Sequence, residues 1–450
     1  MSLFNGERLT NEVFKLDVER MRRGWYSDQY FANILAMLRG VSQANGFQGQ
    51  YARDVGVDAT GLNVGDIEVE MQFFTRRAGK TVIVGVDKAL AMLRHCTGYF
   101  DESGAWVETW QNLAVTAVHD GAITEYHGDP LHVQPVIRVH GRYRDFALLE
   151  TPMLGILSRG SRIATNVYKT LRAAKGKPVL FFPARFDLHE VQAADGYAYD
   201  IAVARFNHDF AGALRSFVST DAQGDWWGGA GGGTVAHAAI ACFLSDTAAT
   251  MMAFAEHVPP EIPRIALVDF NNDSISDSLR VMAAMFARCA DLLAEGRSEE
   301  AQRYVLYGVR LDTGGTLRDV CVPPLGDPAL DLGVTPRLVF NVRQALDAAW
   351  ESWDLRPEQV QMARRYCRDV KIVATGGFNP QKITRFEQLN VPVDIYGVGS
   401  SLLSNDKETN NDFTADVVRV KIDGRWVDMA KIGRAPADNP ELEPVDLAGL

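Results

Sequence analysis

Across its 450 residues the chain has no long hydrophobic run, no Cys-x-x-Cys pair, no internal repeat and no low-complexity stretch. Met1–Arg23 alternates charged with apolar residues, so neither a signal peptide nor a membrane span is expected, and a cytoplasmic location follows as the expectation. The five cysteines, Cys96, Cys242, Cys289, Cys321 and Cys367, are odd in number and far apart. That argues against a disulfide framework and a cysteine zinc site, and for free thiols in a reducing compartment. Positive charge is also short: 46 Lys plus Arg against 57 Asp plus Glu give a formal net charge of −11. Nucleic acid and acidic membranes are bound through clustered basic residues, so neither is expected as a partner. A small anionic substrate stays compatible, provided that a local basic pocket receives it.

What is present is apolar residue in ordinary proportion, 47%, enough for a large core divided among two or three units. Leu9 to Val41 reads as helical, with an aromatic cluster at Gly24–Phe31 in which Asp28 can cap a helix. Asp66–Phe73, Thr81–Val86 and Leu131–Val139 alternate as half-buried antiparallel strands do, with a helix at Asp87–Arg94. After Thr151 and Pro152 the pattern changes to short apolar strands separated by helices: Val179–Pro183, Phe217–Asp221, Ile265–Phe270, Tyr307–Asp312, Ile372–Gly376 and Val393–Gly397. Such alternation implies parallel pairing with right-handed crossovers, and six units over about 250 residues favour a closed or nearly closed barrel. The expected fold is therefore α/β, an irregular (β/α) barrel plus a smaller, mostly antiparallel α/β domain. The units are drawn at 1–150, 151–400 and 401–450, the last holding a polar loop at Asn405–Asp412, a strand at Val417–Lys421 and a hairpin at Asp423-Gly424, and packing back on the first.

In a barrel the active site lies at the C-terminal ends of the strands. Those ends carry Phe182 and Arg185, then Asp221, then Asp269, then Arg310 and Asp312, and finally two glycine turns, Gly376-Gly377 and Gly397-Val398-Gly399-Ser400. Glycine permits positive φ and close approach of an anion to the main chain, so the two turns read as a phosphate cradle. Phe182 offers a face to a planar ring while the Arg185 fork matches a carboxylate. Arg310 and Asp312, two apart, point to the same side of the pleat, either as a strand-end salt bridge or as a pair binding phosphate and ribose hydroxyls. His237 follows Gly231-Gly232-Gly233-Thr234 at the opening of an apolar helix, where it is either a core histidine or a nucleophile or base beside an anion. Lys175, Lys177, Arg162 and Lys169 read mainly as a solvated helix face.

In this order and spacing the segments Tyr26–Phe31, Leu149–Thr151, Ile163–Thr165, Lys175–Val179, Phe182-x-x-Arg185, Gly233-Thr234-x-Ala236-His237, Gly308–Thr313, Thr375–Gly377 and Tyr396–Gly399 resemble nicotinate phosphoribosyltransferase, of the type II phosphoribosyltransferase group that also contains nicotinamide phosphoribosyltransferase. The resemblance implies transfer of a phosphoribosyl group from phosphoribosyl diphosphate to nicotinate for NAD synthesis, with Mg²⁺ accompanying the diphosphate, ATP as co-substrate, and a homodimer with shared active sites. It implies that Tyr30, from the partner subunit, and Phe182 sandwich the ring, that Arg185 orients it, and that Asp221 lies nearby. Arg310 and Asp312 would hold the ribose diphosphate, with Asp269 among the catalytic groups. Gly376, Gly377, Gly397, Gly399 and Ser400 would hold the 5′-phosphate, with Thr234 beside His237, the histidine phosphorylated by ATP. No metal-ligand set is implied. The chain departs from the family at Phe186, where many relatives carry a second Arg, and at Thr313-Gly314-Gly315, where many read Ser-Gly-Asp; a Cys-based zinc site of some relatives is absent. Asp221 would suit an amide at least as well as a carboxylate, so nicotinamide or another pyridine stays open, as does a weakly active phosphosugar-binding paralogue.

Overall fold

The computed structural model describes residues 6–43, 56–59 and 61–450, so the first five residues of the Met1–Arg23 stretch lie outside the described part. The segment expected as one helical region from Leu9 to Val41 forms three helices, Asn11–Phe14, Val18–Arg22 and Gln29–Ser42. Local chemistry makes the breaks. Lys15 ends the first in the left-handed region at φ 49°, the Asp17 side chain caps the second at the Arg20 N–H, and Gly24 turns at φ 73°.

The smaller domain is built on a six-stranded antiparallel sheet in the order Arg425–Asp428, Phe413–Ile422, Glu68–Thr75, Ile137–Arg142, Ala114–Ala117, Glu443–Pro444. A strand near the C-terminus thus lies beside the first strand of the chain, and the hairpin closing it turns through Asp423 and Gly424, both at positive φ. Three expectations for this domain are corrected. Glu68–Thr75 is buried on both faces rather than half-buried, because the tail crosses its polar side: Gln72 Nε2 donates to Ala435 O and Gln72 Oε1 accepts from Ala437 N, both at 3.1 Å. The stretch from Leu131 forms a strand only from Ile137, since the Asp129 side chain folds Leu131 into a turn and Pro135 has no N–H for a ladder. The strand expected over Thr81–Val86 runs as Gly79–Val82, because the N–H groups of Val84, Gly85 and Val86 go instead to Ser161 Oγ and Asp120 Oδ1, and a helix follows from Val86 to Cys96.

The second unit carries five parallel strands in the order Val179–Phe181, Ile395–Val398, Lys371–Ala374, Gly308–Leu311, Ile265–Leu267. The sixth expected strand, Phe217–Asp221, does not form. Val218 makes only single bridges, to Phe181 on one side and Gly231 on the other, because Thr220 and Gln223 close a capping box that turns the chain into the short helix Asp221–Gly224. The result is an irregular (β/α) barrel. The 24-residue helix Glu150–Ala173 serves both units: Met153 and Leu157 join the core of the antiparallel domain, while Ile163, Ala164, Val167 and Leu171 join that of the barrel.

Glu70, 2% exposed at the centre of the sheet, receives Arg419 Nη1 at 2.9 Å and lies 3.1 Å from His140 Nε2. Burial works to raise its pKa, but the hydrogen bonds of His140 and Arg419 and the charge of Arg419 prevail and draw it from an ordinary 4.5 to about 2. A carboxylate with a depressed folded pKa stabilises the native state above its unfolded pKa and loses that contribution as pH falls. Urea denaturation should therefore show stability falling between pH 4.5 and about 2, and Glu70→Gln should be less stable than the parent at pH 7 with a flatter decline in that acid window. An unchanged decline in the variant would show that this carboxylate does not tie the sheet together.

Candidate active site

The C-terminal ends of the parallel strands frame a cleft of about 510 Å³. Taken in the spatial order of the strands, its rim carries Phe182 and Arg185, then Gly397 to Ser400, then Gly376-Gly377, then Arg310 and Asp312, and last the end of Ile265–Leu267, from which Asp269 reaches His237. Parallel pairing produces this arc, because every strand delivers its next loop to the same side.

The two glycine turns prove to be different devices. Gly376 and Gly377 adopt φ 85° and 68°, so this turn needs glycine for its backbone path. Gly397 and Gly399 have no positive φ; glycine is needed there for room. A Cβ on Gly397 would sit 2.5 Å from Thr375 Cγ2 and 2.9 Å from the Phe182 ring, and one on Gly399 would sit 2.7 Å from Phe186. Glycines thus let two aromatic rings lie down on the strand end. Phe182 meets Phe217 edge to face at 6.1 Å, and the Arg185 guanidinium lies 5.1 Å from the centre of the Phe186 ring.

Arg310 and Asp312 are on one side of their strand, yet no salt bridge joins them within 4.0 Å. Arg310 Nη2 donates to Val235 O at 3.2 Å and its Nε is buried with no acceptor. Burial pushes the Arg310 pKa down, against the charges of Asp312 and Asp269. His237 opens a helix of six residues, His237–Cys242, and its Nε2 is 3.0 Å from Asp269 Oδ1. The imidazole is 46% exposed whereas the Asp269 side chain is 7% exposed, so His237 is not a core histidine. Burial raises the Asp269 pKa, opposed by the His237 hydrogen bond. With Asp269 accepting from Nε2–H, Nδ1 is left as the free lone pair.

Thr234 and Ser400 line the same cleft. Asp221 does not: its Oδ1 accepts the Gly231 N–H at 2.8 Å and braces the glycine run that leads to His237. Tyr30 does not line the cleft of its own chain either. It is 54% exposed on the helix Gln29–Ser42, its ring 4.4 Å from that of Phe31. Two features escaped the sequence. The His237–Asp269 contact joins residues 32 apart with no local signal. Lys382 sits behind the first glycine turn, donating to Gly376 O at 3.2 Å and lying 4.3 Å from the Phe378 ring centre, with its pKa lowered by burial to about 8. Its signal was available in Phe378-Asn379-Pro380, where Asn379 caps and Pro380 opens a helix that carries Lys382 back under the turn.

A barrel whose strand ends collect aromatic rings, arginines and two glycine turns, beside an antiparallel domain closed by its own C-terminal strand, has the type II phosphoribosyltransferase fold. Residues 54–161 match the family model of the quinolinate phosphoribosyl transferase N-terminal domain. The fold is similar to that of nicotinate-nucleotide pyrophosphorylase from Pyrococcus furiosus, with TM-score 0.60 and 24% identity over 93% of this chain and 80% of that one. It is similar also to human nicotinic acid phosphoribosyltransferase, with TM-score 0.55 and 17% identity over 88% of this chain and 74% of that one. No curated protein sequence matches the chain. Among the described residues no helix is long and apolar enough to cross a membrane, no cluster of three or more His, Cys, Asp or Glu is placed to hold a metal, and all five cysteines are free.

Gly397→Ala tests the packing of the rim. Overfilling a site bounded by Thr375 and Phe182 should cost about 1–3 kcal/mol in urea denaturation and displace the Phe182 ring. Wild-type stability in that variant would mean that the ring does not lie against the strand end.

Proposed function

We propose that the chain transfers the phosphoribosyl group of phosphoribosyl diphosphate to nicotinate, giving nicotinate mononucleotide and diphosphate. The observation that carries this reading is the order of the rim: a ring surface with an arginine at one end, the glycine turns in the middle, and Arg310 with Asp312 beyond them. A pyridine ring against Phe182 would direct its carboxylate to Arg185, and a 5′-phosphate would meet the bare N–H groups of the Gly376-Gly377 turn. Arg310, whose Nε has no acceptor, would receive diphosphate oxygens. In the transfer the ring nitrogen forms a bond to ribose C1 as the C1–O bond to diphosphate breaks. Positive charge builds on sugar and ring, and an aromatic face stabilises it. Mg²⁺ fits as a companion of the diphosphate, with Asp269 and Asp312 as the carboxylates available to it; it would neutralise the leaving group. The free Nδ1 of His237 suits acceptance of a phosphoryl group from ATP, with ADP leaving, and Asp269 would hold the ring oriented. Tyr30 is assigned to the second face of the ring in a partner subunit, since its exposure leaves it free to reach one.

A second reading, quinolinate as the base, is favoured by the match of residues 54–161 to the quinolinate phosphoribosyl transferase N-terminal domain. Quinolinate carries one more carboxylate than nicotinate and would need a second cation at the ring end, where Phe186 stands beside Arg185. That composition favours the monocarboxylate.

Diphosphate release, measured with nicotinate, quinolinate and nicotinamide in turn, with phosphoribosyl diphosphate and Mg²⁺ and with or without ATP, separates these readings. The expected result is turnover with nicotinate, stimulated by ATP; release above background with none of the bases would overturn the proposal. His237→Ala should lose ATP stimulation and keep ATP-independent transfer, and equal stimulation in that variant would remove His237 from the ATP step. Asp269→Asn should weaken stimulation in the same direction.

A further inference from the structure

Where the antiparallel domain meets the barrel, hydrogen-bond donors accumulate that the cleft does not use. Arg77 follows the strand Glu68–Thr75, and Asn411 precedes the strand Phe413–Ile422. Arg162, Asn166 and Lys169 lie on one face of helix Glu150–Ala173, at spacings of four and three. Hydrogen bonds gather the three segments. Arg77 Nη2 donates to Asn166 Oδ1 at 3.0 Å, the Arg77 N–H to Thr75 Oγ1 at 3.2 Å, and Thr75 Oγ1 to Asn411 Oδ1 at 2.6 Å. Phe413 N donates to Ser158 Oγ at 3.1 Å, one helical turn before Arg162.

Within this junction Arg77 Nε, Arg77 Nη1, Arg162 Nε and Asn411 Nδ2 are buried donors that meet no acceptor. Arg77 is only 6% exposed and Asn411 2%. The nearby acids Asp406, Glu408 and Asp412 act on Arg77, Lys169 and Arg162 through space, and among the described residues no carboxylate pairs with any of the three. Asp187 and Asp195, which also face Arg162, are both hydrogen-bonded by Arg159. Burial first, and then the Arg162 charge, push the Arg77 pKa down to about 10, so the two guanidiniums stand close enough to repel. The two amide oxygens of the junction, of Asn166 and Asn411, each already accept one hydrogen bond. A water molecule would have to place its own hydrogens among these donors, whereas a group with several acceptor oxygens and negative charge matches them.

We propose that this junction is a second anion site, distinct from the cleft at the strand ends, and that it takes a phosphoryl group. The proposal stands apart from the choice of base at the cleft. Asn166 also donates through Nδ2 to Leu402 O and Ser404 O, both at 3.1 Å, so an anion held by Arg77 lies behind the turn that ends in Ser400. Its occupancy therefore bears on how firmly that turn is held.

The test uses the full chain in the Arg310→Gln background, which weakens anion binding at the cleft. Inorganic phosphate, diphosphate and ATP are titrated calorimetrically into this variant and into the same variant carrying Arg162→Gln and Lys169→Gln. The expected result is binding in the first and a loss of affinity of about tenfold or more in the second. Preference for ATP over the two free anions would identify a nucleotide as the source of the phosphoryl group; preference for phosphate or diphosphate would identify a free anion. Equal affinity in both variants would overturn the proposal and leave the donors to water. Melting gives a second readout with opposite sign. In phosphate-free buffer Arg162→Gln should melt no lower than the parent, because it removes an unpaired cation, and only the parent should gain stability on adding phosphate. A lower melting temperature in phosphate-free buffer, with an unchanged gain on adding phosphate, would mean that Arg162 is a structural residue and not a ligand.

Discussion

Parallel pairing of five very short strands is the constraint on which the rest of the molecule depends. Three or four residues per strand give each pair few hydrogen bonds, so the wall is held chiefly by the apolar residues behind it, such as Val309, Ile372, Ala374 and Val398. Because the strands run the same way, residues from distant parts of the sequence must leave them on one rim. Phe182 and Gly397 come into contact, 215 residues apart, since Val398 pairs with Phe181 and not through any affinity of their own. The chemistry of the cleft is thus a consequence of register.

Much of this was legible in the sequence for a definite reason. A strand that ends in a polar or glycine residue announces both its end and what it delivers, and five of six barrel strands were recognised within a few residues. The failure at Phe217–Asp221 has a local cause, the Thr220–Gln223 capping box, which outcompetes one more bridge. The glycines show a subtler limit. Gly376 and Gly397 look alike in sequence, but one is required by a backbone angle and the other by an aromatic ring from a different strand. Partnerships such as His237 with Asp269, Asp221 with Gly231, or Lys382 with Gly376 follow from the path of loops, which periodicity does not encode.

A single position sets the character of one end of the rim. Phe186 lies beside Arg185 and closes on Gly399, so an uncharged ring fills the space next to that guanidinium. The exposed half of Phe186 borders the cleft as an apolar surface.

The pairing of Glu68–Thr75 with Phe413–Ile422 has a consequence for biosynthesis. Thr75 and Asn411 are hydrogen-bonded yet stand 336 residues apart in the chain. At ribosomal speeds of about 5–20 residues per second, the first strand waits on the order of 17–70 seconds for its neighbour to be made. Throughout that interval one edge of Glu68–Thr75 is open, and an open edge is a template for pairing with any other nascent strand. Glu70 in the middle of that edge, met by His140 and Arg138 of the neighbouring strand but not yet by Arg419, places a charge where a foreign strand would dock. The residue that fastens the finished sheet thereby guards it while it is incomplete.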